Sequence, residues 1–290
     1  NRHAWNQQAS SADEIAQPGP KNRMISSPYT KLMNSNNMVD QAAVLILTSA
    51  ANAEHLQIPR DRWVFPYAGT DAHDTYAIGE RAEFHRSPAI RIAGRRAVEL
   101  AGVAIDDVDL VDVYSCFPSA VQVAAHELGL PVGDRSRPLT VTGGLTFAGG
   151  PWNNYVTHSI ATMAEQLAAH PGRTGLITAN GGYLTKHSFG VYGTEPPGRE
   201  FRWEDVQPVV DREPTRTALV DWSGDGRIES WTTPFDRDGK PEKAFLAVRT
   251  PQDARGLAVI NDAGQAEATV TEDVAGASVR VHPDGSASLS

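Results

Sequence analysis

Cysteine is almost absent from this 290-residue chain, and the single Cys116 excludes an internal disulfide. It also excludes a metal site built from several cysteines of one chain, and the nine histidines show no His-Glu-x-x-His spacing. No apolar run reaches the roughly 18 residues that a membrane span requires, so we expect none. The residues from Asn1 to Asn6 do not form a signal peptide, and together with the free cysteine they predict a reducing, cytoplasmic setting.

Basic residues are outnumbered, because 26 Lys and Arg face 35 Asp and Glu, for a formal charge of −9. Such a surface repels phosphate backbones, which disfavours a nucleic-acid partner. Neither a Walker-type loop nor a dinucleotide-binding glycine motif occurs. The composition is otherwise that of a globular protein, with 40% hydrophobic and 21% charged residues, and this argues against disorder.

The first two thirds of the chain alternate between strand-like and helix-like patterns. Residues 41–48 form a short apolar run that predicts a buried strand. Residues 66–74 have the composition of a loop. The other predicted elements are strands at 63–65, 108–114, 175–180 and 188–192, and helices at 11–15, 88–101, 117–128 and 154–167. This order predicts an α/β layered fold.

From about residue 200 the pattern changes to short β-type runs separated by glycine-containing turns. The runs are 216–222, 227–232, 244–249, 256–260, 266–270 and 278–281. They predict a small all-β, barrel-like module. We therefore divide the chain into residues 1–197 and 198–290, with a linker at residues 195–198. Residues 201–290 hold 16 acidic and 10 basic side chains, so this module is a poor platform for nucleic acid.

Cys116 follows a predicted strand and precedes a predicted helix. The positive end of a helix dipole lowers a thiol pKa and favours thiolate, although a single cysteine is also a common buried apolar residue. The glycine-rich segment 143–150 allows close backbone approach and offers N–H donors to an oxyanion, or else forms a structural turn. Asp109 and Asp112 lie three apart on a strand and so face opposite sides, which excludes a catalytic carboxylate pair.

The segment from Ala179 to His187 suggests further chemistry. His187 can polarise a carbonyl or move a proton, and the amide of Asn180 can donate to a developing oxyanion. The alternatives are a polar loop histidine and ordinary turn chemistry beside two glycines.

Three blocks in fixed order resemble the C-terminal half of the thiolase superfamily. Residues 111–117 are similar to the strand-to-helix turn that carries Asn-Glu-Ala-Phe in ordinary thiolases, or His-Asp-Cys-Phe in sterol-carrier-type thiolases. Residues 143–151 are similar to the Gly-Gly loop that ends in Gly-His-Pro, and residues 179–182 to the Cys-x-Gly-Gly hairpin. The stretch 40–43 is similar to the family's Asp-Gly-Ala-Ala. The resemblance covers about residues 1–195.

The resemblance implies a thiolase-like α-β-α fold followed by an additional OB-type domain. It also implies acyl-CoA or CoA as substrate, with no covalently bound cofactor. Cys116 matches the acid/base cysteine of the sterol-carrier-type motif, whereas Gly150 stands where the family has its histidine and Ala179 where it has the hairpin cysteine. On this basis His187 and Asn180 are expected to join Cys116 in catalysis. The expected substrate-binding residues are Tyr114, Phe117, Gly149, Gly150, Gly181 and Gly182.

The function that the resemblance implies is acyl transfer of the acetyl-CoA acetyltransferase type, within lipid metabolism. The nucleophile is then expected on an N-terminal thiolase half that these residues do not include, supplied in cis or in trans. Two alternatives stay open, namely a catalytically degenerate protein that binds CoA or lipid, and a partner-recruiting subunit of an acyl-CoA complex. A homodimer or an acyl-CoA enzyme is the expected protein partner.

Overall fold

The computed structural model describes residues 1–290. The strands are β1 Met24–Ser27, β2 Tyr29–Thr30, β3 Phe65–His73, β4 Leu110–Asp112, β5 Thr174–Gly181, β6 Lys186–Gly193, β7 Arg202–Asp205, β8 Ala218–Leu219, β9 Gly224–Pro234, β10 Ala244–Arg249, β11 Arg255–Ile260, β12 Ser278–Val281 and β13 Ala287–Leu289. The α-helices are α1 Ala12–Ala16, α2 Ala50–His55, α3 Pro88–Ala101, α4 Pro118–Leu128, α5 Gly144–Phe147, α6 Tyr155–Ala169, α7 Gln207–Val210 and α8 Ala263–Thr271. Short 3-10 turns occupy Lys31–Met33, Arg60–Arg62, Ile78–Glu80, Ile105–Asp107 and Trp152–Asn154.

The chain forms two compact units, and each is built from three separate stretches of the sequence. The first comprises Asn1–Gln8, Ser35–Asp74 and Glu83–Glu213, and the second comprises Ala9–Asn34, Thr75–Ala82 and Pro214–Ser290. After the predicted linker the chain still contributes β7 to the first unit. The division into residues 1–197 and 198–290 stays a prediction.

The first unit contains a five-stranded sheet in the order β4-β5-β6-β3-β7. Neighbouring residues of β5 face opposite sides, so Leu176 packs with α3 and α4 while Ile177 packs with Met163 and Leu167 of α6. Helices thus cover both faces of the sheet, which confirms the predicted α/β layered fold. The three helices follow from apolar side chains at helical spacing.

Caps fix the ends of the two helices on one face. The hydroxyl of Ser87 accepts the N–H of Ile90 at the start of α3, where Pro88 is the first helical residue. Gly102 ends this helix in the left-handed conformation at φ 77°, and Gly129 ends α4 in the same way. The predicted boundaries of both helices are confirmed within one residue.

The second unit is built on an eight-stranded sheet with the central order β13-β12-β9-β10-β11-β8. Its core holds Ile228, Leu246, Val248, Ile260 and residues of β12, all buried. A parallel bridge between Val259 and Ser286 links β11 to the residue just before β13, so distant strands of the path approach each other. This pairing is consistent with a curled sheet.

Residues 266–270 are helical, so the prediction of a strand there is wrong and the module is not purely β. They lie in α8, which begins after Asp262, whose carboxylate accepts the N–H of Gln265. A short apolar run cannot distinguish helix from strand by periodicity alone. The N-terminal cap was the deciding local signal.

The apolar run 41–48 is not a buried strand, and that prediction is also wrong. The segment has no regular secondary structure, and Val44, Ile46 and Leu47 are 80–87% exposed. Its composition favours burial, but no described element pairs with it.

Residues 66–73 belong to β3 rather than to a loop. Pro66 lies where the β3–β6 register shifts, between Pro66 and Ala68, and such irregularities are where a sheet accommodates proline. None of the helices has both the length and the apolar character that a bilayer span requires.

Candidate functional site

Cys116 lies in the turn between β4 and α4, as the sequence predicts. Burial raises the pKa of its thiol, although the side-chain amide of Asn180 and the backbone N–H groups of Phe117 and Cys116 act in the opposite direction. The expectation of a lowered pKa is therefore wrong. Helix α4 begins at Pro118, which has no N–H, and desolvation outweighs the donors. Burial thus favours the protonated thiol, which can act as a proton donor.

The hairpin between β5 and β6 meets this turn directly. The amide nitrogen Nδ2 of Asn180 lies 3.5 Å from Sγ of Cys116, and the N–H of Tyr114 donates to Oγ1 of Thr178 at 2.9 Å. Gly182 adopts φ 66°, which suits a glycine in a tight turn. The hairpin thus holds an amide donor against the thiol.

The glycine-rich loop contacts the same turn from the other direction. The N–H of Leu145 donates to Oγ of Ser115 at 3.1 Å. The N–H groups of Gly143 and Gly144 both donate to Oγ1 of Thr140, at 3.0 and 3.1 Å. These two donors are used inside the loop, which favours the structural-turn alternative for them, and an oxyanion role for segment 143–150 stays a prediction.

Ser35 and Asn36 connect the turn to the loop, and sequence reasoning missed both. The N–H of Ser35 donates to the carbonyl of Cys116 at 3.0 Å, and the N–H of Asn36 donates to that of Leu145 at 3.2 Å. The carbonyl of Asn36 in turn accepts the N–H of Gly150 at 2.8 Å. No motif marks these residues, because they act through backbone groups.

Gly149 and Gly150 are both buried, and each faces a polar side chain where a side chain of its own would begin. A Cβ built on Gly150 lies 2.0 Å from Oγ of Ser35, and one built on Gly149 lies 2.1 Å from Oε1 of Gln41. Gly149 also has φ 104°. The position at which the family carries a histidine therefore has no room for a side chain while Ser35 keeps its place.

Asp112 is a fully buried carboxylate that organises the loop, and sequence reasoning missed this role. It accepts hydrogen bonds from the hydroxyls of Thr140, Tyr155 and Ser159 at 2.8, 2.9 and 2.6 Å, and from the N–H of Val141 at 3.0 Å. Burial raises the pKa of Tyr155, and the neighbouring Asp112 raises it further. Asp109 is exposed, so the two acids do face different sides as expected.

His187 is buried beneath the hairpin rather than exposed in a loop. Its Nε2 lies 3.6 Å from Oδ2 of Asp74 and 3.3 Å from the carbonyl of Leu184. Burial works to raise the pKa of Asp74, but hydrogen bonds with His187 and Ser87 and the N–H of Ala89 outweigh it and lower that pKa. His187 and Asn180 both line a small cavity of about 10 Å³.

The expected substrate-binding aromatics differ in exposure. Tyr114 packs edge to face on Tyr155, with ring centroids 5.3 Å apart, and lines the same cavity. Phe117 is 45% exposed, and the neighbouring loops carry the exposed rings of Trp152 and Tyr183. No group of three or more His, Cys, Asp or Glu side chains is arranged to hold a metal ion.

Two regions match protein-family models. Residues 70–154 match a thiolase C-terminal domain-like family, and residues 205–286 match the additional C-terminal domain of thiolase-like protein type 1. Across the whole chain, the fold is similar to the crystal structure of a monomeric SCP2-thiolase like protein type 1 from Mycobacterium smegmatis. The TM-score is 0.88 at 31% identity, covering 100% of this chain and 64% of that one.

Curated relatives share shorter stretches. An acetyl-CoA acetyltransferase of Methanothermobacter thermautotrophicus is 28% identical over 186 residues, which cover 59% of this chain and 47% of the relative. A beta-ketoadipyl-CoA thiolase of Pseudomonas putida is 32% identical over 146 residues, which cover 50% of this chain and 34% of the relative. An acetyl-CoA acetyltransferase of Methanocaldococcus jannaschii is 28% identical over 99 residues, which cover 34% of this chain and 25% of the relative. The chain thus spans from a quarter to about half the length of these relatives.

Proposed function

Starting from a chain with a thiolase C-terminal domain-like region and the additional domain of thiolase-like protein type 1, we propose that it binds an acyl-CoA thioester beside Cys116. In this proposal Cys116 acts as the acid/base group of thiolase-type acyl transfer, and Asn180 donates to the thioester oxygen or to the thiolate. The observation that carries the proposal is the 3.5 Å contact between Nδ2 of Asn180 and Sγ of Cys116.

The raised pKa of Cys116 suits an acid/base role better than a nucleophilic one. A neutral thiol does not attack a thioester, but it can protonate a carbanion or a departing thiolate of CoA. The amide of Asn180 then stabilises the thiolate that remains. A separate nucleophile is needed for acyl transfer, and we propose that it belongs to an N-terminal thiolase half, in cis or in trans.

The exposed run 41–48 supports such a companion half. Val44, Ile46 and Leu47 present adjacent apolar side chains without a described partner, and extended apolar segments of this kind typically mark an interaction surface. We propose that the run becomes a strand in the sheet of the companion half. We propose the cytoplasm as the location, because Cys116 is free.

Binding without turnover is a second candidate function, and one observation favours it. The family's histidine position is Gly150, whose side-chain space is taken by Ser35, and its hairpin cysteine position is Ala179. Removal of a single transition-state donor costs about 10²–10³ in rate. The loss of two such groups can leave a CoA-binding protein that does not turn over.

An assay of acetoacetyl-CoA thiolysis with full-length protein and CoA distinguishes the two. Cys116→Ala serves as the control, and calorimetry with CoA is run on the same preparation. Thiolysis above the Cys116→Ala background supports acyl transfer. Saturable binding without thiolysis supports the second candidate, and the absence of both contradicts the proposed site.

A further inference from the structure

Asn180 and His187 face each other across the β5–β6 hairpin. The two residues are direct partners in the strand register, so their side chains project from the same face of the sheet. Both line the cavity of about 10 Å³. That volume accommodates about one water molecule.

One polar atom at this cavity lacks a hydrogen-bond donor. Oδ1 of Asn180 is buried and accepts no hydrogen bond, while its Nδ2 is directed at Cys116. Nε2 of His187 faces two acceptors, the carbonyl of Leu184 and the carboxylate of Asp74, so it carries the proton. The remaining ring nitrogen, Nδ1, is then the one left to bond elsewhere.

Asn180 and His187 both line this cavity, and one water there can donate to Oδ1 of Asn180 while bonding to the ring of His187. Asp74 is itself fixed, because it accepts from Oγ of Ser87 at 2.5 Å and from the N–H of Ala89 at 3.1 Å. The carboxylate therefore holds the imidazole and its tautomer, in the way that outer groups orient the ligands of metal and catalytic sites.

We propose that His187, held by Asp74, is a positioning residue that orients the Asn180 amide toward Cys116 through a single water bound in the cavity between them. A water that donates to Oδ1 keeps this oxygen turned away from the thiol and Nδ2 turned toward it. The inference rests on the proposed function only in taking Cys116 and Asn180 as the reacting site. The proposal gives His187 and Asp74 a positioning role that the sequence motifs do not indicate.

The pH profile of Cys116 alkylation tests this positioning directly. Iodoacetamide reacts with the thiolate, so the rate reports the thiol pKa, and peptide mapping identifies Cys116 in the full-length protein. Tyr114 is the titratable neighbour on the turn, and His187, which Asp74 contacts, lines the cavity. Because no acyl-CoA is present, this outcome is separate from the success or failure of the proposed function.

Two variants of His187 distinguish the roles of its two ring nitrogens. His187→Asn keeps a polar atom near the position of Nδ1, whereas His187→Gln keeps one near Nε2 and loses the acceptor for the cavity. We expect His187→Gln to raise the midpoint of the alkylation pH profile by about one pH unit. A shift of this size corresponds to the energy of one hydrogen bond to a charged group. We expect His187→Asn to stay within about 0.3 unit of the wild type.

A double-mutant cycle completes the test. Asn180→Ala is expected to raise the midpoint by a similar amount, and the Asn180→Ala/His187→Gln pair to add nothing further, because His187 acts through Asn180. Thr70→Val is the matched control, since it removes a buried hydrogen bond to the carbonyl of Ala93 from the same sheet. Additive shifts, or an unchanged midpoint in His187→Gln, overturn the proposal.

Discussion

The amide nitrogen of Asn180 lies 3.5 Å from the sulfur of Cys116, and the two residues are 64 positions apart in the chain. This contact joins the β5–β6 hairpin to the turn after β4. Ser115, Ser35 and Asn36 join the same turn to the glycine-rich loop. The three blocks that the sequence aligned with one family are therefore neighbours in space.

Replacement of Asp112 is expected to be among the most destabilising single changes in the first unit. Asp112→Ala leaves the buried donors of Tyr155, Ser159 and Thr140 without their acceptor. We expect a loss of about 3 kcal/mol or more in the free energy of unfolding, measured by urea denaturation. Asp109→Ala is the control, because Asp109 is exposed, and its cost is expected to stay below about 1 kcal/mol. Equal costs for the two variants would contradict this account of the network.

A methyl group at Gly150 is expected to collide with Ser35. Gly150→Ala places Cβ about where Oγ of Ser35 lies, at a built distance of 2.0 Å. We expect a destabilisation of about 1–3 kcal/mol, read from thermal unfolding. Ser35→Gly in the same chain should restore most of it, because the obstructing hydroxyl is gone. If the double variant is no more stable than Gly150→Ala, the collision is not the cause.

Charges in the run 41–48 are expected to disturb association without disturbing the fold. Val44→Asp with Ile46→Asp alters side chains that are 80% and 87% exposed, so stability should change by less than about 0.5 kcal/mol per site. Binding to the companion half, measured by co-purification of separately expressed halves, should be lost. Val132→Asp is the control, because Val132 is a 61% exposed apolar residue outside the run. Unchanged association in the double variant would refute the docking role of this segment.

Acid should weaken the first unit partly through Glu127. Burial works to raise the pKa of Glu127, but Arg86, the N–H of Ser87 and Arg91 outweigh it and hold that pKa below its usual value. A depressed folded-state pKa contributes stability above the unfolded pKa of about 4.3, and this contribution is lost as the pH falls through the folded pKa. Glu127→Gln should therefore flatten the dependence of unfolding free energy on pH below about 5. The exposed Glu54→Gln should leave that slope as in the wild type.

Local patterns predicted helices α3, α4 and α6 and strands β4, β5 and β6 of the first unit because their signals are short-range. The spacing of apolar residues and the caps at Ser87, Gly102 and Gly129 are all present in the sequence. The prediction for the run 41–48 is wrong because burial depends on long-range packing. Apolar composition favours burial of a segment, but it does not indicate which other segment would cover it. The helix at 263–271 was missed where its cap, Asp262, was the stronger signal.

The candidate site was predictable in its motifs but not in its electrostatics. Helix position alone indicated a low pKa for Cys116, whereas burial, which depends on the whole fold, raises it. Asp112 and Asp74 act on residues that lie up to 113 positions away in the chain, as in the Asp74–His187 pair. Ser35 and Asn36 act through backbone groups, which leave no mark on residue type.

Protection of Cys116 by substrate tests the central claim most directly. Full-length protein is alkylated with iodoacetamide over a range of acetoacetyl-CoA concentrations, and peptide mapping follows Cys116. If the thioester binds beside the thiol, the alkylation rate falls along a saturable curve, and Asn180→Ala shifts that curve to higher concentration. A rate that is independent of acetoacetyl-CoA up to millimolar concentration would contradict an acyl-CoA site at Cys116.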